Sequence, residues 1–94
     1  MRLNANELHT IRTTLGSVDP QGRIYLYGSR ADDARRGGDI DLYLETSKAI
    51  DLRTTLKLQL QLSDACRTKV DLLVKSPDDA DMPIHEIAKR GIPL

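Results

Sequence analysis

Residues Tyr25 to Glu45 read YLYGSRADDARRGGDIDLYLE, and this stretch decides the fold. A run rich in β-formers, Arg23 to Tyr27, stops at Gly28-Ser29, a polar loop follows over 30–38, and Asp39 to Glu45 then alternates polar and apolar side chains. The two runs predict strands. Alternation turns Ile40, Leu42 and Leu44 toward a core and sets Asp39 and Asp41 on the opposite face, about 6.5–7 Å apart along the chain. Carboxylates that close repel, a conflict that a divalent cation resolves. Magnesium takes one or two carboxylates with phosphates and waters, and a pair of such ions clamps the attacking and leaving oxygens of a phosphoryl transfer. Gly28 lets the backbone approach a bulky anion, and Ser29 offers a hydroxyl and an amide to phosphate oxygens.

Outward from this stretch, Asn4 and Glu7 have the spacing of a capping box, with Leu3 and Leu8 placed as a hydrophobic staple. Leu8, Ile11 and Leu15 recur at helical spacing before Gly16 and Pro20, which predicts a helix over 5–15. Downstream, Lys48 to Arg67 carries Ala49, Leu52, Leu56, Leu60 and Ser63 at helical spacing. Leu58, Leu60 and Leu62 also alternate like a strand, but the length of the segment favours helix. Lys69 to Val74 predicts a third strand, and Pro83 to Gly91 a last helix. The order helix, strand, loop, strand, helix, strand, helix describes an α/β fold, a small mixed sheet with helices packed on it.

With 94 residues and 39% hydrophobic content, the chain fits one domain over 1–94. Fourteen basic side chains balance 14 acidic ones, so no global field points to nucleic acid, and direct nucleic-acid binding is not expected. A single cysteine, Cys66, excludes an intrachain disulfide and a thiolate zinc cluster, and a reducing cytoplasm is the expected compartment. No signal-peptide run and no apolar stretch of membrane-spanning length is found.

The remaining chemistry-bearing residues each have two readings. Asp39 and Asp41 also fit the solvated face of an edge strand. Asp71, inside the apolar run Val70 to Val74, needs a metal or a partner such as Arg67 or Lys69. Arg30, Arg35 and Arg36 suit phosphate oxygens or plain solvation, with Arg30 the first candidate for a nucleotide. Tyr25, Tyr27 and Tyr43 read as packing residues, with stacking on a nucleobase or modification as the second reading for one near the site. His9 and His85 read as structural or solvent-facing, without zinc spacing, and Cys66 as a small buried hydrophobe.

Tyr27-Gly28-Ser29, Asp39-Ile40-Asp41 and Val70-Asp71-Leu72, in that order, resemble the minimal nucleotidyltransferases of the DNA polymerase β superfamily, many of them antitoxins paired with HEPN-domain toxins. The ending IHEIAKRGIPL is similar to the family's closing helix and terminal apolar residues. Gly38 departs from it, since many members carry Ser there. The resemblance implies the nucleotidyltransferase fold and a Mg²⁺-dependent transfer, with two ions, of AMP from ATP to a tyrosine hydroxyl of a HEPN toxin. It places Asp39, Asp41 and Asp71 as catalytic residues and metal ligands, and Gly28, Ser29 and Arg30 at the triphosphate. Two further readings stand beside it: a non-catalytic antitoxin that silences its toxin by occupying a surface, and the nucleotide-binding subunit of a two-chain nucleotidyltransferase. Each calls for a partner chain, a HEPN toxin or another helical protein.

Overall fold

In the computed structural model, which describes residues 1–94, four strands form one mixed sheet in the order β3-β2-β1-β4. They are β1 (Arg23–Tyr27), β2 (Ile40–Glu45), β3 (Val70–Lys75) and β4 (Ile92–Pro93). β1 pairs antiparallel with β2 and β4, whereas β2 and β3 are parallel. Parallel neighbours need a crossover, and helix α2 (Leu52–Cys66) supplies it. Helices α1 (Ala5–Val18) and α3 (Pro83–Lys89) complete the fold, the α/β architecture that the sequence pattern predicts.

The pleat sorts the side chains. Ile40, Leu42 and Leu44 of β2 join Leu26, Val70 and Leu72 in one buried cluster with Ile11 and Leu15 of α1 and Leu58 and Leu62 of α2. The opposite face carries Tyr27, Asp41 and Asp71 in one cross-strand row and Tyr25, Tyr43 and Leu73 in the next. α3 lies on this second face. His85 stacks on Tyr43, with ring centroids 5.6 Å apart, and Tyr43 stacks on Tyr25 at 5.8 Å. Glu45 Oε2 accepts hydrogen bonds from the Tyr43 hydroxyl and from Lys89 Nζ, both at 3.0 Å, fixing α3 over the end of the sheet away from Asp41. The carboxylate row at the other end lies open.

Several boundaries differ from the sequence reading. α1 runs through Gly16 to Val18, because Val18 packs on the core and the Asp19 N–H still bonds the Leu15 carbonyl; one helical glycine costs only about 1 kcal/mol. α2 begins at Leu52 rather than near Lys48. The Asp51 side chain caps it by accepting from Thr54 N–H, while Lys48 and Ile50 bond to Thr46 and Ser76 in a corner. Its buried residues are Leu58 and Leu62, whereas Leu52, Leu56 and Leu60 are 72%, 50% and 66% exposed, so that helical repeat marks the outer face. β2 and β3 each start one residue later than predicted, at Ile40 and Val70, and β3 also runs on to Lys75. β4, which the sequence reading lacks, follows Gly91 and pairs with Tyr25 and Leu26. His85 is a structural residue, buried, with Nδ1 accepting the Met82 N–H at 2.9 Å. Cys66 is half-buried against the core.

Candidate active site

The second strand gathers the candidate residues because of what its two neighbours place beside it. Asp41 has Tyr27 of β1 and Asp71 of β3 as its direct cross-strand partners, so two carboxylates and a phenol share one row. Asp39 joins them from just before β2. Its backbone is pinned on both sides: the Gly38 carbonyl accepts from Thr68 Oγ1 at 2.9 Å, and Ile40 N–H donates to the Lys69 carbonyl at 3.0 Å. Asp39 is exposed, while Asp41 and Asp71 are half-buried.

Gly28 closes the row from the other side. Its φ is +72°, a conformation that favours glycine, and a Cβ there would displace the Asp41 carboxylate. The backbone of Gly28 therefore passes directly against Asp41. Ser29 begins the loop to Asp39, and its hydroxyl faces the α-carbon of Gly37, where any larger residue would collide with it.

The electrostatics show convergence. Burial first, then the charges of Asp71 and Asp39, push the Asp41 carboxyl above its ordinary value, with Lys69 and Arg35 opposing. Burial, Asp41 and Asp71 likewise raise the Tyr27 phenol. Among the loop arginines, then, Arg35 adds a charge that is felt at Asp41. Arg30 does not: its guanidinium is spent on the Arg2 and Gly38 carbonyls, at 2.7 and 2.9 Å, and on Glu7 at 3.4 Å. Asp71 pairs with Lys69 at 3.8 Å, an exposed and weak interaction; its alternative partner Arg67 is instead the left-handed cap of α2.

No three His, Cys, Asp or Glu side chains are gathered closely enough to hold a metal ion unaided. The donor set is nonetheless all carboxylate oxygen, charged and mutually repelling, which suits a hard cation completed by phosphate oxygens and water. The site is also unwalled. The largest groove, about 400 Å³, lies elsewhere, at the β3 edge between Ile50, Leu52, Thr55 and Leu72 to Val74.

The family model described as polymerase beta, nucleotidyltransferase, matches residues 10–94. No curated protein matches the chain significantly. Among solved structures, a chain of a mutant of the toxin–antitoxin MntA–HpeT is 24% identical with a TM-score of 0.78, over 99% of this chain and 72% of that one. A toxin–antitoxin with AMP-PNP is 24% identical with a TM-score of 0.74, over 92% and 68%. The complex of a tri-AMPylated Shewanella oneidensis HEPN toxin with an MNT antitoxin gives 24% and 0.69, over 92% and 65%. These likenesses establish the fold. No helix is long and apolar enough to cross a membrane.

Proposed function

The chain belongs to the polymerase β nucleotidyltransferase family, and from that premise we propose that residues 1–94 act as one Mg²⁺-dependent domain transferring AMP from ATP to a tyrosine hydroxyl of a HEPN-type toxin, as its antitoxin. The observation that carries this reading is the row Tyr27, Asp41, Asp71 with Gly28 pressed against Asp41, which sets a close-approach backbone beside paired carboxylates. The similar structures with AMP-PNP and with an AMPylated HEPN toxin support the choice of nucleotide and acceptor. The unwalled face supports a partner chain, which would supply the acceptor together with the missing wall.

In this reading Gly28 and Ser29 bind the triphosphate, and Arg35, the loop arginine whose charge is felt at Asp41, neutralises phosphate charge. Arg30 organises the loop. Asp39, Asp41 and Asp71 hold magnesium, which when bound supplies charge neutralisation at the attacking and leaving oxygens. The acceptor oxygen bonds to the α-phosphorus, the bond from that phosphorus to its bridging oxygen breaks, and pyrophosphate leaves with the electron pair. Asp71, on the open face, receives the hydroxyl proton.

The test is incubation with labelled ATP, magnesium and a HEPN-type toxin as acceptor. Asp39→Asn with Asp41→Asn should abolish label transfer while circular dichroism stays native, because two repelling carboxylates are removed. Undiminished labelling in that double variant would overturn the assignment.

A further inference from the structure

The residues before α1 are absorbed by none of the chemistry above, yet they grip the loop that joins Ser29 to Asp39. Arg2 donates through Nη2 to the Ser29 carbonyl at 3.0 Å and through Nη1 to the Gly37 carbonyl at 3.2 Å. Its backbone N–H donates to the Arg30 carbonyl at 2.8 Å, and its own carbonyl accepts from Arg30 Nη1 at 2.7 Å. Arg30 Nη2 in turn reaches the Gly38 carbonyl. Glu7, fixed by its reciprocal capping bonds with Asn4, accepts the remaining contact from Arg30. Two interlocked guanidinium groups thus tie the entrance of the loop to its exit, and the exit is the residue before Asp39.

We infer that Arg2 is a positioning residue for the nucleotide site: it holds the two ends of the 29–38 loop at the separation that Ser29 and Asp39 need to act on one triphosphate. A guanidinium presents a rigid fork of donors, so one side chain spans two carbonyls, which the point donor of a lysine cannot do. Residues 32–39 are exposed, and besides the arginine bonds they are held by the Met1 amino group on Asp33 and by Thr68 Oγ1 on the Gly38 carbonyl. With few apolar contacts, such a segment depends on these hydrogen bonds for its order. The inference rests on the nucleotide reading, since it gives Ser29 and Asp39 a shared ligand.

The experiment compares Arg2→Ala and Arg2→Lys with Arg12→Ala, an exposed arginine on α1, as control. Amide hydrogen exchange should quicken by about tenfold or more across 30–38 in Arg2→Ala, with β1 to β3 as protected as before. In the transfer assay KM for MgATP should rise by about tenfold while kcat changes little, as for a residue that shapes ground-state and transition-state binding alike. Arg2→Lys should recover part of both effects, and it carries the test if Arg2→Ala fails to fold. Unchanged exchange in the loop overturns the inference, and so does faster exchange with an unchanged KM. Should the wild type transfer nothing, the nucleotide reading falls and takes the positioning role with it. The exchange data would then still tell whether Arg2 holds the loop.

Discussion

Asp41 is a carboxylate that the fold does not favour as an anion. Its carboxyl is raised above the ordinary 3.8 by burial and by Asp71 and Asp39. The native state therefore binds the proton more tightly than the unfolded chain does. The resulting stability is fully present below 3.8 and is lost as pH rises through the raised native value. Asp41→Asn removes that loss. At neutral pH the variant should be at least as stable as the wild type in urea unfolding, and the difference should grow with pH only across that acidic window. A variant less stable at neutral pH would mean that Asp41 has a stabilising partner. The carboxylates were legible in the sequence because strand alternation fixes which residues share a face, and the parallel register of β2 and β3 then aligns Asp41 with Asp71. The arginines were not. Arg30 and Arg35 look alike in sequence, and what separates them is Arg2, a residue 28 positions away whose carbonyl captures the Arg30 guanidinium.

At the scale of the element, α2 shows how a repeat can name a helix without naming its inner face. Leu52, Leu56 and Leu60 keep helical spacing as well as Leu58 and Leu62 do, so periodicity predicts the helix from either set. Only the sheet decides which set is buried, and that information lies in other strands. Leu62 is fully buried and Leu60 is 66% exposed. Leu62→Ala should cost about 2–5 kcal/mol, transfer and cavity terms together, whereas Leu60→Ala should stay within about 0.5 kcal/mol. Equal losses in urea unfolding of the isolated chain would mean that the outer leucines are also covered. β4 was illegible for a related reason: it is two residues long, one of them proline, and its identity as a strand comes from the edge of β1 rather than from any local pattern. Pro93 fits there because an edge position needs no donor at every residue, while Leu94 N–H closes the ladder on the Ile24 carbonyl at 2.8 Å.

For the whole molecule, the division of the sheet into a closed face and an open one bears on both stability and activity. One face carries the buried aliphatic cluster, built without Trp or Phe. The other is anchored by α3 at its Tyr43 end and leaves repelling carboxylates only partly covered at its Asp41 end. A chain of this size buries a modest share of its surface, so ligands that relieve the open end should register strongly in its melting temperature. Magnesium alone meets too few protein oxygens, since no three acids are gathered to hold it. In the proposed site, ATP alone would bring its phosphates against Asp39, Asp41 and Asp71 unscreened. Together each supplies what the other lacks, so the combined shift should exceed the sum of the separate ones. A ligand at about 100 times its Kd adds about 2.7 kcal/mol to the folded state, and each kcal/mol moves the midpoint of a domain this small by about 4–8 °C. Differential scanning fluorimetry with magnesium, ATP and both should therefore separate cooperative from independent binding by several degrees. In Asp39→Asn with Asp41→Asn the excess over additivity should vanish while any magnesium-independent shift persists. An additive result in the wild type would mean that the open face does not join the two ligands in one site.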